Sequence, residues 1–195
     1  IVHLLDYGAG NVASLVNALT IKLNLTVRPA NTPEQIRQAT VLFFPGVGSF
    51  AHCVKRLQQM ELVEPLLAHL RANKPFLGIC LGMQTLFDAS DESPGAKGLG
   101  FFPGTVGRSC VGAHGLTVPQ MGWNGVAAAI AHPRFASLAD GDAVYFVHSF
   151  RVALSDALAD SVMCETAYGE RFVSGVCPGR VCAVQFHPEQ PGPPG

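Results

Sequence analysis

The segment that most constrains this chain is a short apolar run ending in a cysteine between two glycines. Residues 75–79 read as a buried strand, and a helical pattern follows from Leu81 to about Phe87. Between them, Gly78-Ile79-Cys80-Leu81-Gly82 has the form of a nucleophile elbow, with cysteine in the place of the usual serine. The two glycines allow a sharp turn and a close approach of neighbouring backbone. The cysteine is expected at a helix N-terminus, where the dipole and free N–H groups favour the thiolate. The N–H of Leu81 is then placed to help hold an oxyanion. The competing reading is a buried structural cysteine beside packing glycines; the strand-elbow-helix context argues for the nucleophile.

The rest of the first half supports an α/β fold. Strands are expected at 1–5, 25–28 and 41–44. Asn11 can cap a helix reaching about Lys22, Thr32-Pro33-Glu34-Gln35 forms a capping box with proline at the first helical position, and one helix is expected over 51–72. This alternation predicts a mostly parallel central sheet with helices on both faces. After Asp88 short strands dominate, at 105–111, 116–118, 125–128, 144–149, 162–166, 172–176 and 181–186, and give a smaller antiparallel β region. One domain is expected over 1–189, followed by a Pro/Gly-rich tail over 190–195.

Composition excludes several functions. With 195 residues, 48% apolar and 14% charged, the chain can build one sizeable core. A net charge of −1 offers no basic surface for nucleic acid or anionic lipid. No apolar run reaches about 18 residues, so no membrane span is expected. The six cysteines include no Cys-x-x-Cys pair and no zinc-like spacing with histidine, so neither metal nor cofactor is expected. Apart from Cys80 they read as small buried apolar side chains in a reducing compartment. The chain begins at Ile1 and reads as a fragment or an excised domain.

A thiolate nucleophile works with a base, and the base with an orienting group. Among seven histidines, His187 has the best surroundings, following an apolar strand and heading His187-Pro188-Glu189. Pro188 pushes His187 into an extended conformation. Residues two apart then point the same way, so Glu189 can reach the imidazole and fix its tautomer. His148, at the end of a strand, either lines the site or packs in the core. Pro45-Gly46-Val47-Gly48 follows another strand end, the edge where open α/β sheets bind ligands.

At this point the residues resemble a known family. Gly78 to Gln84 together with His187-Pro188-Glu189 is similar to the class I glutamine amidotransferase pattern. Leu5 to Asn11, Phe44 to Gly48, Met121-Gly122-Trp123-Asn124 and Tyr145 to Ser149 resemble, more specifically, the glutaminase subunit or domain of imidazole glycerol phosphate synthases, including the fused plant and fungal forms. The resemblance implies a class I glutamine amidotransferase-like, flavodoxin-like fold. It implies that Cys80 attacks the glutamine side-chain amide, that His187 moves the proton, and that Glu189 orients His187. It assigns an oxyanion hole to Val47, Gly48 and Leu81, formed after a peptide rotation triggered by a partner. It gives substrate contacts to Gly46, Gln84, Glu92, His148, Ser149 and Phe150. Asn11, Gln120, Met121 and Trp123 would face a (β/α)8 cyclase, as a separate subunit or fused domain, that uses the ammonia. A cytoplasmic or plastid-stromal location is implied. The sequence departs from the family at Gln120, where histidine is expected, at Phe150, where tyrosine is expected, and after Glu189, where Lys-Ser is expected.

Two other readings belong to different classes. One is a truncated or silent module that docks a cyclase without turnover. The other is a cysteine peptidase on a similar elbow, although Gln84 and Glu92 suit a free amino acid better than a peptide.

Overall fold

The computed structural model describes residues 1–8, 12–109, 115–128, 138–190 and 192. The first half runs β1 (Val2–Leu5), α1 (Ala13–Asn17) with a π-helical continuation (Ala18–Lys22), β2 (Val27–Ala30), α2 (Pro33–Gln38), β3 (Leu42–Gly46), α3 (Phe50–Gln59), α4 (Val63–Arg71), β4 (Phe76–Cys80), α5 (Leu81–Gln84) and β5 (Phe87–Ser90). The second half is β6 (Phe102–Arg108), β7 (Gln120–Gly125), β8 (Ala127–Ala128), β9 (Ala143–His148), β10 (Phe150–Ala153), a 3-10 turn at Asp156–Leu158, β11 (Val162–Tyr168), β12 (Glu170–Val176) and β13 (Val181–Val184).

Five strands make a parallel sheet in the order β2-β1-β3-β4-β13. The sheet continues through the antiparallel strands β12, β10 and β6, with β5 parallel at the edge. β11 pairs with β12 and β8, and β7 and β9 form a separate antiparallel ribbon. The expected architecture is therefore the one observed. Its cause is the near-continuous apolar character of the central strands, which are covered on both faces. On one face Ile36, Phe50, Leu57, Leu66 and Leu70 from α2, α3 and α4 pack on Leu5, Phe44, Phe76 and Ala183. On the other, Leu15 and Leu19 cover Val2, Leu4, Ile79 and Val184. Full burial of each large side chain contributes about 1.5–3 kcal/mol.

Local sequence explains several element ends. Thr32 accepts the Gln35 N–H while the Gln35 side chain accepts from Thr32 N–H, the capping box the sequence predicts, with Pro33 opening α2. Ser49 caps α3 by accepting the His52 N–H.

Elsewhere the expectations need correction. The single helix over 51–72 is two, because Glu61 adopts a left-handed conformation (φ +57°) that turns the chain so that Leu62 is buried. The helix after Cys80 is one turn long and gives way to β5, where Phe87 is fully buried beside Phe102. Residues 116–118 are not a strand; the paired segment starts at Gln120. β9 matches the strand expected at 144–149, whereas β10, which follows it directly, was not expected. Asn11, the expected cap of the first helix, lies outside the described residues. Cys177 and Cys182 face each other across the β12–β13 hairpin and form a disulfide, so they are not the two free apolar side chains expected. Cys53 and Cys164 are free and buried, as expected. Among the described residues no helix is long and apolar enough to cross a membrane.

Close packing fixes the join between β3, β4 and α5. A Cβ on Gly82 would overlap the Phe44 carbonyl oxygen, a backbone atom that cannot step aside cheaply. Gly82→Ala is expected to cost about 1–3 kcal/mol or more of stability. Thermal unfolding checks this: an unchanged melting temperature would contradict the packing described.

Candidate active site

Cys80 ends β4 at φ +54° and ψ −110°, a backbone conformation that non-glycine residues rarely adopt. It is the elbow expected from the sequence. The helix behind it is only four residues long, so its dipole is weak.

The chain leaves β13 and brings His187 beside Cys80. The imidazole Nδ1 lies 2.8 Å from Glu189 Oε1, with both side chains 9% exposed. The expected His187–Glu189 contact forms, but Pro188 and Glu189 lie in a turn closed by the Gln190 N–H on the His187 carbonyl rather than in an extended segment. The other ring nitrogen, Nε2, is buried and has no partner in standard hydrogen-bond geometry, but the Cys80 sulfur acts on the ring strongly. Burial by itself would lower the His187 pKa. Interaction with Cys80 and Glu189 outweighs it and raises the value to about 10. A histidine held between a carboxylate and a thiol binds a proton tightly, so it is well suited to receive one from the sulfur.

A cleft of about 280 Å³ opens in front of the sulfur. Val47, Gly48, Cys80, Leu81, Gln84, Glu92, His148, Ser149, Phe150 and His187 all line it, so most of the expected site residues converge there. Gly46 lies just behind, where a Cβ would press on Leu81 and the Gly82 nitrogen. Glu92 accepts the Phe50 N–H at 2.7 Å, which ties one wall of the cleft to the start of α3. Gly48 has φ +99°, a conformation open to glycine. The buried Tyr7 hydroxyl lies near the Val47 backbone and the Cys53 thiol and has no partner in standard hydrogen-bond geometry. Burial foremost, with Cys53, pushes the Tyr7 phenol well above its usual range, and the Val47 N–H pulls the other way.

His148 is buried. Its Nδ1 lies 2.9 Å from the Phe150 carbonyl oxygen, which can only accept, so the proton sits on Nδ1. Burial lowers the His148 pKa to about 4, against the bond to Phe150 and with help from the Arg151 and His187 charges. The ring is neutral at pH 7, and its Nε2 is an unpartnered acceptor at the cleft.

The same Phe150 oxygen accepts Gln84 Nε2 at 3.0 Å. Gln84 Nε2 also donates to Gln185 Oε1 at 2.9 Å, and Gln185 Nε2 lies 3.6 Å from Cys80 Sγ. Sequence reasoning missed Gln185. The signal was available, since the period-two reading that linked His187 to Glu189 reaches Gln185 one step earlier.

The residues expected to face a partner are divided. Met121 is 63% exposed and Trp123 is half-buried, its ring against Tyr145. Gln120 is buried, its Nε2 donating to Asn124 Oδ1 at 3.0 Å, so it cannot meet a partner directly without repacking. Asn11 lies outside the described residues.

A family model described as glutamine amidotransferase class-I matches residues 3–195. The chain belongs to that family. A chloroplastic protein of Arabidopsis thaliana named imidazole glycerol phosphate synthase hisHF is 45% identical over 195 residues, covering 98% of this chain and 32% of its own. The imidazole glycerol phosphate synthase subunit HisH of Syntrophotalea carbinolica is 41% identical over 192 residues, covering 96% of this chain and 91% of its own. Within the amidotransferases, the chain thus belongs with the HisH glutaminase subunits; it spans about a third of the fused relative and most of the separate one. Among solved structures, one described as a glutamine amidotransferase superposes with a TM-score of 0.73 at 18% identity, over 97% of this chain and 90% of the other. A Trypanosoma brucei CTPS glutaminase domain with bound acivicin gives 0.62 at 15% identity, over 97% and 86%. Both show the shared fold.

The raised His187 pKa fixes a sign for stability. Folded His187 holds its proton more tightly than the unfolded chain, so its contribution is complete below pH 6.5 and is lost as pH rises through about 10. The melting temperature is expected to fall across that interval, and less steeply in Glu189→Gln. Equal slopes in the two proteins would contradict the coupling.

Proposed function

We propose that this chain hydrolyses glutamine to glutamate and ammonia through Cys80, His187 and Glu189. It delivers the ammonia to a (β/α)8 cyclase that forms imidazole glycerol phosphate and aminoimidazole carboxamide ribonucleotide in histidine biosynthesis. The observation that carries the reading is a cysteine at positive φ on a strand end, beside an imidazole whose far nitrogen is fixed by a buried carboxylate. The names of the relatives support the pathway.

In this mechanism His187 takes the Cys80 thiol proton and the sulfur attacks the side-chain carbonyl carbon of glutamine. The C–N bond breaks as His187 returns the proton to nitrogen, so ammonia leaves and a thioester remains. Water, deprotonated by His187, then releases glutamate and restores the thiol. Leu81 N–H, with a donor from Val47 or Gly48, stabilises the oxyanion. Glu92, His148, Ser149 and Phe150 border the amino and carboxylate ends of the substrate, and the neutral His148 Nε2 can accept from the substrate ammonium. The hole is completed by a rotation of the Val47–Gly48 peptide, and the cyclase is the agent that triggers it. Met121 and Trp123 lie on its docking face.

Glutamate release measured with and without the cyclase tests this. Activity is expected to rise strongly with cyclase, and Cys80→Ala to lower it by about 10³-fold or more. Ammonia production that survives in Cys80→Ala would overturn the proposal.

A further inference from the structure

Gln185 is fully buried just beyond β13, with its backbone N–H on the Ser174 carbonyl. Its side chain is the middle of a chain of hydrogen bonds whose direction is set at one end. The Phe150 carbonyl can only accept, so it must face the nitrogen of Gln84. That nitrogen also donates to Gln185, so the oxygen of Gln185 must face Gln84. What remains for Cys80 is the Gln185 amide nitrogen, 3.6 Å from the sulfur. No rotation of either amide leaves all three contacts satisfied.

We infer that Gln185 is a catalytic residue, a permanent hydrogen-bond donor to the Cys80 sulfur that works alongside His187. This rests on the glutaminase reading above. The neutral thiol has a second neighbour, the Val147 carbonyl, 4.0 Å from Sγ. That oxygen can only receive the thiol proton, so its contribution ends when the proton moves to His187. The Gln185 donor stays in place and binds the anion more strongly than the thiol, because bonds to ionised acceptors are about twice as strong as neutral ones. This N–H is a fixed dipole on the sulfur, its amide held by the bond to Gln84. The chain also ends at Phe150, Gln84 and His148, which line the cleft, so the walls that would hold glutamine and the donor that holds the nucleophile share one carbonyl.

Two variants of the chain in complex with its cyclase separate this role from simple packing. Gln185→Glu keeps an acceptor for Gln84 and loses the donor to sulfur. Gln185→Met keeps the volume and loses both. Each is expected to lower kcat by about 10- to 100-fold, the range for one hydrogen bond to a charged group, with KM for glutamine changed less than about threefold. Alkylation of Cys80 by iodoacetamide at pH 7, which requires neither glutamine nor cyclase, is expected to slow by a similar factor. An unchanged alkylation rate in both variants, or a raised KM at constant kcat, would overturn the inference and leave Gln185 as a support for Gln84. If the unaltered complex releases no glutamate, the glutaminase reading fails, while the alkylation comparison still decides the role of Gln185. Should both variants misfold, the side-chain amide signal of Gln185 in the unaltered protein decides. It is expected to move over the pH range in which Cys80 becomes alkylatable, and a signal indifferent to that range would sink the contact.

Discussion

The backbone of Cys80 is the constraint from which the site follows. A side chain at φ +54° costs on the order of 1–3 kcal/mol, and such a residue persists only where its surroundings over-determine it. Three glycines from three elements do so. A Cβ on Gly46 would come within 2.9 Å of Leu81 Cβ, and one on Gly78 within 3.1 Å of Ala183 Cβ and of the Gly82 oxygen. With Gly82 against Phe44, they let β3, β4 and the single turn of α5 stack closer than any other residue would allow. The strained cysteine is wedged by its neighbours, and its sulfur projects from the strand end into the cleft.

Around that sulfur, polar groups are buried in a way that leaves few of them a choice. His187 has Glu189 on one side and Cys80 on the other, and both interactions raise its pKa against the effect of burial. His148 is kept neutral by burial, and its tautomer is fixed by a backbone oxygen. The two histidines carry opposite shifts although both are buried. The difference lies in their partners: carboxylate and thiol for one, a neutral carbonyl for the other.

Much of this was legible in the sequence, and the parts that were not share a cause. The parallel sheet, the elbow and the His187–Glu189 pair follow from local patterns: apolar runs, glycine spacing and a His-Pro-Glu tripeptide at a strand end. The break at Glu61, the shortness of α5 and the boundary between β9 and β10 do not, because tertiary packing decides them. Leu62 turns inward at 0% exposure, and Phe87 seats against Phe102 in a strand where helix was expected. Gln120 was read as facing outward because the family places that position on the partner side, whereas its amide here turns onto Asn124. Gln185 escaped notice because an amide in an apolar strand carries no chemistry until its neighbours are known.

The Phe150 carbonyl carries a consequence for how this site can change over time. Two side chains, His148 and Gln84, take their orientation from a main-chain oxygen that every amino acid possesses. Tyrosine, phenylalanine or another residue at 150 would present the same acceptor, provided the strand keeps its path. A change of side chain there leaves that acceptor in place while the backbone trace is held, whatever it does to the cleft wall. At Gln185 the reverse applies: only a primary amide of that length can accept from one neighbour and donate to the other, so a single-letter change severs the link between cleft and nucleophile.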